Sequence, residues 1–375
     1  MKIRRIDIYK LNVDFTHPIK TPIGMLDCAR NVVVKITTDN DLFGWGEASP
    51  FAPITGDSQE SNYSIGLQLA QLIIGKNPLA VEARMAVINA FTVSEPSIRS
   101  AFDMALYDLL SKAANLPLYA LLGGESSTNG KPREIRTDLT IGIQDSVEQT
   151  VACAESILEQ GFNAIKLKVG RPGLEDVAHV KAVRERVGSD ISIKIDANQG
   201  WDYPAAVANI QAMAPLGLQY AEQPLSAWDI DNLRRLREKV SLPICADESV
   251  FDDKDALKLV KAGTVDYLNI KLGKSGGIHT ALKINAIAEA GGCKCMIGCF
   301  AESRLALSVA AHLAMARPNI HFLDLDSAFG FKTEPVIGGM SYDKTIGGLI
   351  HLPDTPGHGA TFDESYLDQK ISITV

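Results

Sequence analysis

Three acidic residues follow three successive apolar segments of the sequence at nearly equal intervals. Asp196 (KIDANQG), Glu222 (AEQPL) and Asp247 (ADES) are separated by 26 and 25 residues. If each residue ends a neighbouring strand of one parallel sheet, the three carboxylates converge and repel one another. A hard divalent cation with oxygen ligands relieves that repulsion, and we expect Mg²⁺. Each acid alone more often caps a helix or carries a loop charge, so the predicted metal site depends on all three together.

Lysines at two further strand ends could act as bases beside such a metal. Lys166 and Lys168 alternate with apolar residues in Ile165–Lys168, which sends both ammonium groups to one face of a strand. Lys271 (NIKLGKSGG) ends another strand. If the eight strands described below close into a ring, this strand is four places from the strand of Lys168, and the two lysines face each other across the ring. This arrangement suits two bases on opposite faces of one carbon. The alternatives are lysines on a solvated strand edge and a surface lysine in a glycine-rich loop.

Eight segments rich in β-forming residues must position these side chains. Each is followed by a segment whose apolar residues have the spacing of an α-helix. The eight β-rich segments span residues 135–141, 164–169, 191–196, 220–222, 244–247, 267–271, 294–298 and 321–326. The residues at the segment ends lie 24 to 28 positions apart, which is the length of one βα unit. Eight such units predict a (β/α)8 barrel, in which catalytic groups lie at the C-terminal ends of the strands.

The N-terminal part of the chain has a different pattern. Alternation over Ile3–Val13 and Val32–Ile36 predicts antiparallel strands that end in a turn at Gly44–Glu47. Helical spacing follows over 62–115, with an amphipathic helix at 100–114. The stretch 123–132 (GGESSTNGKP) has the composition of a linker. We therefore expect a capping domain at 1–125, a barrel at 132–350 and a C-terminal segment, 351–375, that returns to the capping domain.

Composition excludes several classes of function. The 375 residues carry a formal net charge of −8, which disfavours nucleic-acid binding. The sequence contains neither a signal-peptide pattern nor a run of about 18 apolar residues. We expect a cytoplasmic protein whose six cysteines are reduced. Cys293, Cys295 and Cys299 could suggest a soft-metal site, but they lack the spacing and the histidine partner of a zinc site.

Taken in order, KxK, DANQGW, EQP, ADES and NIKLGKSGG resemble the enolase superfamily, muconate lactonizing enzyme subgroup. That superfamily uses a lysine base with Mg²⁺ to stabilise an enolate. The resemblance implies an α/β fold with a modified TIM barrel, (β/α)7β, and an α+β capping domain. It also implies Mg²⁺ ligands at Asp196, Glu222 and Asp247. The implied bases are Lys168 and Lys271, and Lys166 would bind the substrate carboxylate.

The last strand narrows the resemblance to dipeptide epimerases. Asp324 and Asp326 in FLDLD resemble the D-x-D that holds the α-ammonium of a dipeptide in those enzymes. Thr140 and Cys299 match family positions that contact the dipeptide. The alternative is that one aspartate caps the turn at Ser327. We therefore expect a small-molecule dipeptide substrate, with neither a nucleic-acid nor a membrane partner, and a homo-oligomer.

One departure from the family lies at a position that would contact the second residue of the dipeptide, whose α-carbon is inverted. Epimerases that act on Ala-Glu carry an arginine three residues after the threonine corresponding to Thr21, and here that position is Gly24. Because Ile23, Met25 and Leu26 are apolar, we expect a lid that favours a small or hydrophobic second residue. Arg30 or Lys20 could still supply a charge. The alternatives are an L-Ala-D/L-Glu epimerase, a muconate cycloisomerase or o-succinylbenzoate synthase, and a non-catalytic metal-dependent binding protein.

Overall fold

A computed structural model describes residues 1–128 and 131–375. The chain begins with three antiparallel strands, β1 (Ile3–Thr21), β2 (Gly24–Thr38) and β3 (Phe43–Ala48). The predicted turn at Gly44–Glu47 is wrong, because these residues form most of β3. Glycines are required there for close packing: a Cβ on Gly46 would lie 1.8 Å from the carbonyl oxygen of Ala101.

Five helices follow this sheet. They are α1 (Ala52–Thr55), α2 (Gln59–Ile73), α3 (Val81–Phe91), α4 (Pro96–Ala113) and α5 (Leu118–Leu121). Of these, α2, α3 and α4 share the buried core of the sheet. The helix predicted at 100–114 corresponds to α4, which begins earlier because Pro96 occupies its first turn, where no N–H is needed. The amphipathic pattern predicts one buried face, but α4 is buried on more than one side. It packs on the sheet on one side and on the barrel on another.

Two very short strands, β4 (Ser127–Thr128) and β5 (Lys131–Pro132), pair within the predicted linker. Asn129 and Gly130 of that linker lie outside the described residues. The segment predicted as one strand at 135–141 divides in two. Its first part, β6 (Ile135–Arg136), pairs outside the barrel, and its second part, β7 (Leu139–Ile141), is the first barrel strand.

Eight parallel strands form one curled sheet in sequence order. After β7 they are β8 (Ala164–Lys168), β9 (Ser192–Asp196), β10 (Ala221–Glu222), β11 (Ile244–Ala246), β12 (Tyr267–Ile270), β13 (Lys294–Ile297) and β14 (Ile320–Leu323). A parallel bridge between Thr137 and Leu323 joins the two ends of the sheet. The barrel therefore has the predicted order, and the side chains that follow each strand lie at one rim.

Helices follow the first seven of these strands, as the (β/α)7β pattern requires. They are α6 (Val147–Glu159), α7 (Glu175–Val187), α8 (Tyr203–Met213), α9 (Ile230–Lys239), α10 (Asp253–Ala262), α11 (Leu272–Ser275) with α12 (Ile278–Ala290), and α13 (Arg304–Ala316). Their apolar faces pack on the barrel strands in one buried cluster. No helix among the described residues is long and apolar enough to cross a membrane.

The remaining strands follow the barrel. They are β15 (Val336–Gly338), β16 (Ser341–Tyr342), β17 (Leu349–His351), β18 (Ala360–Phe362) and β19 (Leu367–Thr374). Of these, β19 lies in the predicted C-terminal segment and pairs with β1, at the edge of the N-terminal sheet. A separate cluster that includes Trp45, Leu305 and Phe362 packs the N-terminal sheet against α13 and the C-terminal strands. The N-terminal sheet is thereby held over one end of the barrel.

Candidate active site

The three acids predicted as metal ligands lie side by side at the rim. Asp196 is the last residue of β9 and pairs in register with Glu222, the last residue of β10. Asp247 immediately follows β11, which is the next strand of the sheet. All three side chains are fully buried. The equal spacing in the sequence therefore corresponds to adjacent positions in space, because consecutive parallel strands end at the same edge.

Lys166 and Lys168 both turn towards these acids. The Lys166 ammonium lies 3.0 Å from Asp196 and 2.9 Å from Glu222. Lys168 Nζ donates to Asp196 at 2.7 Å. The solvated-edge alternative is wrong, since the Lys166 side chain is only 1% exposed. Burial alone would lower the pKa of Lys166, but the carboxylates of Asp196, Asp324 and Glu222 outweigh it and raise that pKa well above its usual value.

Lys271 reaches the opposite side of the same acid cluster. Its ammonium lies 2.9 Å from Asp247 Oδ2 and 4.7 Å from the ring centroid of Phe300. Lys168 and Lys271 stand four strands apart in the ring, and both line one cleft. The alternative of Lys271 as a surface residue is wrong, because its side chain is only 5% exposed.

Sequence reasoning missed Lys274, which is fully buried behind Asp247. Its Nζ donates to Asp247 Oδ1 at 2.6 Å, to the Asp247 carbonyl at 2.5 Å and to the Asn269 carbonyl at 3.1 Å. Lys274 lies three residues after Lys271, across the single turn of α11, and this i, i+3 spacing was its only signal. Lys274 thereby fixes the orientation of the Asp247 carboxylate from behind.

The donor set of this cluster suits a hard divalent cation. Glu222 Oε2, Asp247 Oδ2 and Glu248 Oε2 are enclosed oxygens that accept no hydrogen bond, although lysines lie near the first two. Burial, followed by the charge of Asp196, raises the pKa of Glu222 to about 7. Burial, followed by Asp247, raises the pKa of Glu248 to about 8. Carboxylate charge thus exceeds what the lysines compensate, and oxygen ligands of this kind bind Mg²⁺.

Glu248 and Asn198 were not predicted, although each lies within two residues of a predicted ligand. Asn198 Nδ2 donates to Glu248 Oε1 at 3.2 Å, and Asn198 lines the cleft. The three cysteines of the soft-metal alternative do not meet: Cys293 contacts Val265, Cys295 contacts Asn319, and Cys299 contacts Asp326. The thiols therefore share no metal site.

Two aspartates, Asp324 and Asp326, follow β14 and line the cleft. Asp324 accepts from Lys166 Nζ at 2.7 Å, so this one ammonium links it to Asp196 and Glu222. Asp326 accepts from the backbone N–H of Thr140 at 2.8 Å, and the Cys299 thiol lies 3.8 Å from its other oxygen. Burial, followed by Asp324, raises the pKa of Asp326 to about 6.

The capping alternative for these aspartates is wrong. Asp326 precedes the short 3₁₀ turn Ser327–Gly330, but its side chain makes no capping hydrogen bond there. The carboxylates of Asp324 and Asp326 lie with the Cys299 thiol within 4.8 Å of one another. Asp324, which is buried, and Asp326, which is partly buried, form a compact acceptor group that suits a cation.

The cleft has one charged wall and one apolar wall, and measures about 600 Å³ with its mouth included. The barrel supplies the charged wall, made of Thr140, Lys168, Asn198, Lys271, Cys299, Asp324 and Asp326. The N-terminal sheet and α1 supply the apolar wall, made of Phe15, Ile19, Ile23, Leu26, Phe51 and Ile54. Of the apolar wall, the sequence indicated Ile23 and Leu26 only.

The predicted lid is the tip of the β1–β2 hairpin. Ile23 and Leu26 line the cleft, whereas Met25 is 60% exposed and lies outside it. Gly24 does not line the cleft; a Cβ there would lie 3.9 Å from Phe51 and from Pro53. Its φ of +150° disfavours any other residue.

Neither of the two nearby cations fills the place of the missing arginine. Arg30 pairs with Asp27 at 3.0 Å, and Lys20 pairs with Asp145 at 3.3 Å. Both pairs are exposed, and neither cation lines the cleft. In the described residues the hairpin side of the cleft is therefore uncharged.

Two family models match almost the whole chain. The model for the mandelate racemase / muconate lactonizing enzyme N-terminal domain matches residues 5–123, and that for the enolase C-terminal domain-like family matches residues 149–366. The chain is 40% identical over 360 residues to a hydrophobic dipeptide epimerase of Enterococcus faecalis, covering 96% of this chain and 99% of that protein. It is 37% identical to a D-Ala-D/L-Ala epimerase of Cytophaga hutchinsonii, with all of both chains covered.

A third relative, an L-Ala-D/L-Glu epimerase of Bacillus subtilis, is 39% identical, with 96% of each chain covered. Solved structures of such relatives align closely with the chain. The dipeptide epimerase of Cytophaga hutchinsonii, in complex with Mg and D-Ala-L-Val, aligns with a TM-score of 0.95 over all of both chains. The dipeptide epimerase of Enterococcus faecalis, in complex with Mg and L-Leu-L-Tyr, aligns with a TM-score of 0.91 over 96% of this chain and all of that one.

Proposed function

We propose a function from the premise that the chain belongs to the mandelate racemase / muconate lactonizing enzyme family of the enolase superfamily. The protein is a Mg²⁺-dependent dipeptide epimerase that inverts the α-carbon of the C-terminal residue by 1,1-proton transfer. The observation that carries this proposal is the cleft itself. Two lysines on opposite sides of an acid cluster share it with a pair of adjacent aspartates and an apolar wall.

Lys168 and Lys271 exchange the α-proton in this proposal. One lysine, in its neutral form, takes the α-proton from one face of the carbon, and the other, as an ammonium, returns a proton to the opposite face. Both lysines approach the cleft from ring positions four strands apart, so each reaches only one face. Inversion follows because the proton that leaves and the proton that arrives travel by different lysines.

Asp196, Glu222 and Asp247 would hold Mg²⁺, which neutralises the charge that develops on the substrate carboxylate as the α-proton leaves. Lys166 lies against Asp196 and Glu222 and is placed to donate to the same carboxylate. Lys274 holds Asp247 in position through its carbonyl and one carboxylate oxygen. The reacting end of the substrate would therefore be surrounded by fixed charges.

Asp324 and Asp326 would hold the α-ammonium of the dipeptide. Asp324 is buried and Asp326 is partly buried at the cleft, and Lys166 pairs with Asp324, so a cationic group of the substrate would offset the negative charge that remains. A muconate cycloisomerase or an o-succinylbenzoate synthase would bring no cation to them. This wall therefore favours a dipeptide over the substrates of those enzymes.

The apolar wall favours a small or hydrophobic second residue. Ile19, Ile23 and Leu26 approach the cleft from the hairpin, where each buried methylene gains about 0.8 kcal/mol, whereas a glutamate side chain would be desolvated without a partner. Ala-Ala, Ala-Val or Ala-Leu dipeptides should therefore exceed Ala-Glu in kcat/KM by at least about tenfold, equivalent to about 1.4 kcal/mol. The relatives that act on hydrophobic dipeptides support this preference.

A dipeptide library incubated with the enzyme and Mg²⁺ in D₂O tests the proposal. An epimerase incorporates one deuteron at the C-terminal α-carbon, which mass spectrometry detects, and the second diastereomer appears by chromatography. A metal-dependent binding protein would incorporate none. Values of kcat/KM for Ala-Glu equal to or above those of the best apolar dipeptide would instead favour an L-Ala-D/L-Glu epimerase.

We also propose that the enzyme works in the cytoplasm as a homo-oligomer. The six cysteines are free thiols, which is consistent with a reducing compartment. Light scattering on the purified protein would measure the oligomeric state.

A further inference from the structure

A carboxylate of the N-terminal sheet contacts the start of a barrel helix near the active site. Glu47 lies on β3, 1% exposed, and accepts from the Ser303 backbone N–H at 2.9 Å, the Ser303 hydroxyl at 2.5 Å and the Ala306 N–H at 3.2 Å. These donors belong to the first turn of α13, whose N–H groups have no partner within the helix. Glu47 therefore caps a barrel helix from another sheet.

Asn31 on β2 extends this contact to the preceding loop. Its Nδ2 donates to Glu47 Oε1 at 2.7 Å and to the Ala301 carbonyl at 2.8 Å. Glu47 and Asn31 thus hold the backbone of residues 301–306 from the capping side. The burial of a carboxylate at this place raises the pKa of Glu47, although its hydrogen bonds act in the opposite direction. Glu47 is held by donors from α13 and from Asn31, so it links the N-terminal sheet to that helix.

The loop that these residues hold carries two side chains of the cleft. Phe300 places its ring 4.7 Å from the Lys271 ammonium, and Cys299 lies against Asp326. Gly273, two residues after Lys271, also packs towards Phe300. Of these two side chains, Phe300 contacts Lys271 and Cys299 contacts Asp326, whereas Lys168 pairs with Asp196. The loop therefore contacts Lys271 directly, through Phe300.

We infer that Glu47 is a positioning residue for Lys271. Through α13 and the 301–306 backbone it sets the place of Phe300, and the ring of Phe300 orients the Lys271 ammonium by a cation–π contact. This inference rests on the proposed function, because it assigns Glu47 to one of the two proton transfers. Its consequence is asymmetric: loss of Glu47 should impair the proton transfer of Lys271 more than that of Lys168.

Single-lysine backgrounds separate the two transfers. In D₂O, Lys168→Ala leaves only Lys271 to remove and return the α-proton of one diastereomer, and Lys271→Ala leaves only Lys168 to exchange that of the other. Glu47→Gln is added to each background, and the rate of α-deuterium incorporation is measured with saturating dipeptide. We expect a fall of at least about tenfold in the Lys168→Ala background and of less than about twofold in the Lys271→Ala background.

Matched variants show whether the effect is positional or a general loss of stability. Asp108→Asn is the control, because this buried acid also accepts from backbone N–H groups, of Trp45 and His358, but contacts no residue of the cleft. It should lower the melting temperature without changing the ratio of the two exchange rates. Glu47→Asp, which keeps the charge, should restore part of the Lys271-dependent rate. Ser303→Ala, which removes one donor, should give a smaller effect in the same direction.

Equal falls in the two backgrounds, or a changed ratio in Asp108→Asn, would overturn the inference. If a Glu47 variant does not fold, Ser303→Ala decides the outcome by the same ratio. Failure of the proposed function would look different, because the unmodified enzyme would then exchange neither diastereomer.

Discussion

The two walls of the cleft differ in how their residues are held. Beside the barrel wall, Lys166 contacts three carboxylates. In the wall itself, Lys168, Lys271 and Asp324 each pair with an opposite charge within 3.0 Å, and Asp326 accepts from the Thr140 N–H at 2.8 Å. On the hairpin wall, the side chains are apolar except for Thr21, and the neighbouring residue Met25 is largely exposed. A network of buried charges tolerates little change, because removing one member leaves another unpaired. The apolar wall can change without that penalty.

We expect the barrel wall to carry out the proton transfer and the hairpin wall to determine which dipeptide is preferred. The barrel wall lies at the ends of hydrogen-bonded parallel strands, which fix its side chains to within the geometry that proton transfer needs. The hairpin joins β1 and β2 beyond the part of the sheet that β3 and β19 support, where β2 has only β1 as a neighbour. We expect substitutions on the barrel wall to abolish turnover, and those on the hairpin wall to change which dipeptide is preferred.

The largest expected effect is removal of the metal. Chelation should reduce epimerisation below detection, and Mg²⁺ should restore it, because the acid cluster cannot stabilise a developing negative charge alone. Asp247→Asn should behave likewise, since it removes a ligand whose other contacts are Lys271 and Lys274. Full turnover after exhaustive chelation would show that the acids serve another purpose.

The next largest effect concerns the two bases. Lys168→Ala and Lys271→Ala should each lower the rate of epimerisation by at least about 10³-fold, within the range that general acid–base groups contribute. Either variant can still exchange the α-proton of one diastereomer in D₂O, because the remaining lysine reaches one face. Normal epimerisation by either single variant would contradict the two-base scheme.

Neutralising the amino end of the substrate should have an intermediate effect. N-acetylation removes the charge that Asp324 and Asp326 are placed to pair with, and a buried unpaired carboxylate costs several kcal/mol. We expect kcat/KM to fall by at least about 100-fold, equivalent to about 2.7 kcal/mol. N-methylation, which keeps the charge, is the control. Unchanged kcat/KM for the acetylated dipeptide would favour the cycloisomerase alternative.

A charge on the hairpin wall should shift selectivity by a smaller factor. Leu26→Arg places a guanidinium beside the cleft, and the ratio of kcat/KM for Ala-Glu to that for Ala-Val should rise by about tenfold. Met25→Arg is the matched control, because its side chain lies outside the cleft and the ratio should not change. Gly24→Arg is a poorer probe, since the φ of +150° would strain any side chain there. If the ratio of kcat/KM shifts equally in the two variants, the selectivity does not depend on a charge placed beside the cleft, and the prediction is wrong.

The smallest expected effect concerns the exposed cations near the hairpin. Arg30→Ala should change kcat/KM for Ala-Glu by less than about twofold, because Arg30 is exposed and already paired with Asp27. Lys20→Ala should behave in the same way, since Lys20 pairs with Asp145. A loss of Ala-Glu turnover in either variant, with Ala-Val unaffected, would mean that the cation swings into the cleft.

The sequence alone was sufficient for the barrel and for the ring of charged residues at its rim. The interval between Asp196, Glu222 and Asp247 is the length of one βα unit, and a parallel sheet converts that interval into adjacency. Strand alternation likewise determined that Lys166 and Lys168 share a face. These inferences succeeded because the period of a regular element fixes both the position and the direction of its side chains.

Contacts between distant segments were decided by the tertiary structure. Nothing local to β3 indicates that Gly46 packs directly against the backbone of α4, so the local pattern predicts a turn where a strand forms. Lys274 behind Asp247 and Phe300 beside Lys271 also depend on how loops pack after the strands end. The regular spacing of helices and strands does not extend into such loops, so the segments that pack on a loop determine where its side chains lie. For the backbone of residues 301–306, the N-terminal sheet makes these contacts. Only the folded chain shows this contribution.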